Sequence, residues 1–204
     1  QVPPCVAVVG SAGAFNPVRE MLEAWEEGSG LAVVLMIHQS REHPKDLLGS
    51  LLQEKGFETR TVEDETPLKA DTLHVCPPGR AVEVRDGSLH LVEEDASARS
   101  MPIDRLLRSM AKDLGQECAA VVLSGANQDG LLGARGLKEA NALVLVQDPD
   151  TAEHQTMPGA VARDGLADHR VQALDVPVVI RDYFRRRAER PPENEAAHFP
   201  QKTM

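Results

Sequence analysis

Aromatic residues are scarce in this chain: one Trp, one Tyr and four Phe among 204 residues. Any core must therefore be built from Val, Leu, Ala and Ile. Cysteines number three, an odd count, at widely spaced positions 5, 76 and 118. That spacing excludes a disulfide framework and offers no CxxC pair and no zinc pattern. They read as buried reduced thiols, which fits a cytoplasmic location. Positive charge is in deficit, with 22 Lys and Arg against 32 Asp and Glu, a net charge of −10. A nucleic-acid binder would carry a basic footprint, so that class is excluded. No apolar run approaches the ~20 residues needed to span a bilayer, so direct membrane insertion is not expected. No signal peptide is visible at the start, and an initial Gln in place of Met suggests an excised domain or a processed chain.

What is present is an alternation of apolar strands and amphipathic helices. Strands are expected at 5–9, 31–37, 59–62, 73–76, 119–124 and 142–146, with helices at about 15–26, 44–55, 102–115, 130–140 and 175–188. A short helix begins near Met157-Pro158. Segments 81–85 and 88–92, joined by Asp86-Gly87, carry a hairpin signal. The near-continuous apolar strands suit parallel strands buried on both faces. The expected fold is α/β: a doubly wound, mainly parallel sheet with helices on both faces and one antiparallel hairpin. Residues 1–188 form one domain in this reading, and 189–204 a linker or disordered tail without apolar periodicity.

The most informative stretch is Val6-Ala7-Val8-Val9-Gly10-Ser11-Ala12-Gly13-Ala14-Phe15. A strand stops at a glycine-flanked turn and a helix follows at once. A serine there resembles a nucleophile elbow, with helix N–H groups able to stabilise an oxyanion. Two plainer readings compete: Ser11 as an N-cap, or the turn as half of a dinucleotide site. The dinucleotide reading wants an acidic residue at the end of the second strand. The chain has His38 there, followed by Gln39 and Ser40. The strand ending at Ser124 runs into Gly125-Ala-Asn-Gln-Asp129-Gly130. So Ser11, His38 and Asp129 each stand at or beyond the carboxyl end of a buried strand, where open α/β sheets build their sites. They are the parts of a hydrolytic triad. A metal site is the weakest alternative. His38 and His43 are five apart, His74, His90 and His154 are scattered, and none has a ligand spacing.

Taken together, these segments resemble the catalytic domain of bacterial chemotaxis protein-glutamate methylesterases, above all the module at the front of methylesterase–methyltransferase fusions. The resemblance runs from about Cys5 to about residue 185. It is carried by Val9-Gly10-Ser11-Ala12-Gly13, the strand ending in His38, Thr72-Leu-His-Val-Cys-Pro-Pro78 and Met101-Pro-Ile-Asp-Arg105. Leu123-Ser-Gly-Ala-Asn-Gln-Asp-Gly130, Val144-Leu-Val-Gln-Asp-Pro149 and Met157-Pro158 complete it. It implies a serine esterase that removes glutamyl methyl esters from cytoplasmic chemoreceptor helices, often also deamidating glutamine. The nucleophile falls on Ser11, the base on His38 and the acid on Asp129, with backbone oxyanion donors at Ala12 and Ala126. It implies no metal or organic cofactor. The partners implied are methylated receptor helices and a fused or associated methyltransferase.

Three positions depart from the family pattern. Ala14 replaces a usual glycine of the turn, Gly10 stands where alanine is common, and Asn127 replaces a glycine before Asp129. If position 127 needs a positive φ, asparagine is the next best residue. These departures motivate an alternative reading, a non-catalytic regulatory or scaffold module of the same fold. A domain of net charge −10 should also be repelled by glutamate-rich helices. Two basic helix faces could offset this: Arg105, Arg108 and Lys112, and Arg135 with Lys138.

Overall fold

The computed structural model describes residues 1–38, 44–93 and 101–189. The expected tail, apart from Glu189, lies outside the described residues, as do Gln39, Ser40 and His43. Seven strands form a wholly parallel sheet: β1 (Cys5–Gly10), β2 (Ala32–Ile37), β3 (Glu58–Thr61), β5 (Thr72–Val75), β8 (Cys118–Val122), β9 (Leu143–Gln147) and β10 (His169–Val171). Their order is β10-β9-β8-β1-β2-β5-β3. A separate antiparallel sheet contains β4 (Thr66–Pro67), β7 (Ser88–Val92) and β6 (Ala81–Arg85).

Alternation along the strands divides the core in two. Cys5, Ala7 and Val9 face one cluster, while Val6 and Val8 face the other. The first side is covered by α3 (Pro102–Leu114), α4 (Leu131–Glu139), α5 (Thr156–Arg163) and the small sheet. The second is covered by α1 (Phe15–Glu23), α2 (Pro44–Glu54) and α6 (Val176–Glu189). The expected doubly wound sheet is present. The hairpin occurs as expected, with Asp86 at φ 50° and Gly87 at φ 71°, the pair of positive angles a type I′ turn requires. It belongs, with β4, to a sheet of its own. The sequence reading missed β4 and β10, which have two and three residues, too few to show a period.

β1 lies between β8 and β2, and the chain leaves it in opposite directions on its two sides. The point of reversal, at the carboxyl ends of β1 and β8, is where an open α/β sheet leaves a crevice.

Candidate active site

Ser11 directly follows β1 and is 3% exposed. Its N–H donates to the Ser124 carbonyl at 2.9 Å, and its own carbonyl accepts from Ala14 N–H at 3.1 Å, closing the turn. Two glycines make this turn possible. Gly13 has φ +76°, and a Cβ there would lie 2.7 Å from Ser124 Oγ. A Cβ on Gly10 would lie 2.6 Å from Ala14 Cβ. The two departures at positions 10 and 14 thus fit each other: the methyl group absent from one occupies the space beside the other. Ala14, the N-cap of α1, supplies no side-chain cap, and the partial positive charge of the helix N-terminus lies behind Ser11.

The loop after β8 meets the serine from the other side. Ala126 N–H donates to Ser11 Oγ at 3.2 Å. A Cβ on Gly125 would lie 2.7 Å from that oxygen and 2.6 Å from Met157 Cε, so only glycine fits. Ala12 N–H donates no hydrogen bond among the described residues. Ser124 ties the two loops together. Its Oγ donates to the Ala12 carbonyl at 2.8 Å and accepts from His154 N–H at 2.9 Å. Its N–H donates to Gln147 Oε1 at 2.9 Å. The positioning roles of Ser124 and Gln147 escaped the sequence reading. The one available signal was a polar residue at the end of each of two apolar strands.

His38 directly follows β2 and is half-buried. Its backbone N–H donates to the Gly10 carbonyl at 2.9 Å, which fixes it beside the residue preceding Ser11.

Asp129 is 1% exposed. Its Oδ2 accepts from Ile103 N–H at 2.9 Å and its Oδ1 from Asp104 N–H at 2.8 Å. It thereby caps α3 from outside that helix, whose own Met101 supplies no side-chain cap. Asp104 returns the contact, its Oδ1 accepting from Gly130 and Gly133 N–H at 2.9 and 2.7 Å at the start of α4. Among the described residues Asp104 Oδ2 is buried without a hydrogen-bond partner. Burial, opposed by the backbone hydrogen bonds but aided by the nearby Asp104 charge, pushes the Asp129 carboxyl up to about 6. Asp104 is also raised, again chiefly by burial. Asn127 does not have a positive φ; its Oδ1 instead accepts from Asp129 N–H at 3.0 Å, a local turn that fixes the approach to Asp129.

The described hydrogen bonds therefore bring Ser11 and Ala126 together, hold the His38 backbone against Gly10, and anchor Asp129 to α3. All three cysteines are buried and free, and burial pushes the Cys76 and Cys118 thiols up to about 12. Among the described residues no three His, Cys, Asp or Glu side chains could hold a metal ion. His74 is a core residue: Nδ1 lies 3.1 Å from the Val33 carbonyl, and Nε2 accepts from Lys69 N–H at 3.3 Å. Burial lowers its pKa.

The family model described as CheB methylesterase matches residues 6–180, and the chain belongs to that family. It is 30% identical over 166 residues to a protein-glutamate methylesterase/protein-glutamine glutaminase of Saccharophagus degradans, covering 80% of this chain and 46% of that protein. It is 35% identical over 127 residues to an uncharacterized 104.1 kDa protein of Rhodobacter capsulatus, covering 62% of this chain and 13% of that one. The chain thus spans at most about half the length of these relatives. Its fold is similar to the crystal structure of the Thermotoga maritima CheB methylesterase catalytic domain, with a TM-score of 0.79 at 21% identity, covering 89% of this chain and 99% of that one.

Proposed function

We propose that this chain is a serine esterase that demethylates glutamyl methyl esters on chemoreceptor-like proteins, and deamidates glutamine there, with residues 1–188 as the catalytic unit. Three buried, unpaired thiols fit work in a reducing cytoplasm, beside a fused or associated methyltransferase. The observation that carries the reading is the Ala126 N–H held 3.2 Å from Ser11 Oγ. A backbone donor is already aimed at the atom that would attack, close to where negative charge would develop.

In the proposed reaction Ser11 Oγ attacks the ester carbonyl carbon as His38 takes its proton. The carbonyl oxygen becomes an oxyanion, bound by the N–H groups of Ala12 and Ala126. Losing one such donor typically costs about 3 kcal/mol of barrier. The tetrahedral adduct collapses, the C–OCH3 bond breaks, and His38 returns the proton to release methanol. Water, deprotonated by His38, then attacks the glutamyl-enzyme, and Ser11 leaves with the proton back on its oxygen. Asp129 orients the imidazole and stabilises the imidazolium. The departures that motivate a non-catalytic module are accommodated locally: Gly10 and Ala14 are complementary, and Asn127 braces Asp129.

The test is methanol release from a methylated chemoreceptor fragment. Release by this chain that is lost in Ser11→Ala, with the variant still folded, is the expected result. Full activity in the variant would end the assignment.

A further inference from the structure

The sequence offered two basic helix faces, and the structure separates them. Arg135 lies 3.3 Å from Asp164, and Lys138 pairs with Asp168, so the α4 face is already neutralised. On α3, Arg108 and Lys112 have no ion pair among the described residues and are exposed. With Met101 and Arg105 they form one stripe, since steps of four, three and four residues return to the same side of a helix. The stripe is about 16 Å long at 1.5 Å per residue.

This stripe lines a groove of about 950 Å³ between α3 and β6. Of the groove's four acidic side chains three already have partners, and the fourth, Asp86, sits in the hairpin turn beside Asp113. Asp113 accepts from Asp86 and Gly87 N–H at 2.8 and 3.0 Å. Asp104 is buried under the α4 N-terminus. Glu83 is shared between Arg105 at 3.7 Å and Arg85 at 4.0 Å. Ser109 Oγ accepts from Val84 N–H at 2.9 Å, so the groove's two walls are fastened together before any partner arrives. One end of the groove is apolar, where Met101 is 40% and Leu132 52% exposed. That end adjoins the starts of α3 and α4, which Asp129 and Asp104 cap. A basic rail in a chain of net charge −10, leading to an exposed apolar end beside the site, is complementary to one kind of partner.

We propose that the α3–β6 groove docks an acidic helical segment of the substrate protein, with carboxylates along Arg105, Arg108 and Lys112 and an apolar residue at Met101 and Leu132. The proposal rests on the esterase reading for the identity of the partner, but not for the docking. Docking here resolves the repulsion expected between two acidic proteins, because steering is set by local charge when the distant charges are screened beyond ~10 Å.

The experiment measures binding without turnover. The probe is a fluorescently labelled, glutamate-rich helical peptide with leucine at every seventh position, titrated in fluorescence anisotropy at low salt. The whole chain is compared with Arg108→Glu/Lys112→Glu and with Arg135→Glu/Lys138→Glu. Loss of affinity of about tenfold or more in the α3 variant, shrinking at high salt, with the α4 variant binding as the parent, is expected. A second reading divides each variant's rate on a methylated receptor fragment by its own rate on a small neutral ester, so that misfolding cancels. That ratio should fall about tenfold for the α3 variant. Equal peptide binding by parent and α3 variant would overturn the proposal, as would Arg108- and Lys112-dependent binding of anionic phospholipid vesicles but not of the peptide. Retained methanol release in Ser11→Ala would defeat the esterase reading alone and leave the binding result standing.

Discussion

Replacing Gly10 by alanine tests whether the turn that carries Ser11 is built on a matched pair of residues. A Cβ at position 10 would stand 2.6 Å from Ala14 Cβ and 3.0 Å from the Ser124 carbonyl oxygen. Carbon atoms in good contact sit ~3.5–4.0 Å apart, so the overlap with Ala14 is about 1 Å. Overpacking of that kind costs about 1–3 kcal/mol. Ala14→Gly alone removes a fully buried methyl and adds backbone freedom, together about 1–2 kcal/mol. If the clash is the main cost of Gly10→Ala, the double variant should be about 1–2 kcal/mol more stable than the sum of the single effects predicts. Rescue should be partial, since the Ser124 carbonyl remains in the way. Urea denaturation followed by the fluorescence of Trp25, the single and buried tryptophan, reads all four proteins. Single effects that add within about 0.5 kcal/mol would refute the pairing.

Asp129→Asn should remove a pH dependence of stability. With its native pKa raised to about 6, Asp129 binds a proton more tightly in the folded chain than in the unfolded one, so its contribution falls as pH rises. From pH 4.5 to 7.5 that fall is about 2 kcal/mol, measured as the difference between parent and variant urea midpoints, and parallel curves would contradict it. The same raised carboxyl predicts that the parent's esterase rate declines below about pH 6, as Asp129 loses the charge that supports the imidazolium; a rate flat down to pH 5 would count against that role. Gly125→Ala should lower kcat about 100-fold or more by displacing Ser11 Oγ, 2.7 Å from the added carbon, with residual activity read by methanol release.

The sheet was legible because its strands announce themselves. CVAVVG, AVVLMI and LVLVQ are buried along their whole length, and helical periods separate them. Ser11 and His38 were legible for the same reason, each being the first residue after such a strand. Asp129 lies seven residues beyond β8, where no period reaches; its place past a buried strand end made it a candidate, and the family resemblance gave it the role of the acid. What could not be read were facts about distant neighbours. Ser124 joins Ala12 to His154, and Asp104 meets the start of α4 across the fold. A positive φ at Asn127 was raised only as a condition, from the glycine that the family pattern has there. The backbone there has no positive φ, and the Asn side chain makes a hydrogen bond that glycine could not.

The exchange of caps between Asp104 and Asp129 bears on whether one carboxylate can both hold a helix and serve a base. Each oxygen of Asp129 takes one amide of α3. An ionised carboxylate has about four acceptor sites, so two remain for an imidazole N–H. Capping therefore does not compete with the catalytic role proposed for Asp129; it fixes the plane of the carboxylate. The N-terminus of α3 also favours negative charge on its cap, which opposes the burial that drives the carboxyl towards neutrality. Asp104 works against this balance: its charge raises Asp129, and among the described residues its own second oxygen has no hydrogen-bond partner. Its compensating contribution is mechanical. By taking Gly130 and Gly133 N–H it pins the loop that carries both Asp129 and the Ala126 donor to the helix that Asp129 caps. In the proposed reading the chain gives up stability at neutral pH to hold Asp129 and the Ala126 N–H on one frame, the exchange expected of a preorganised site.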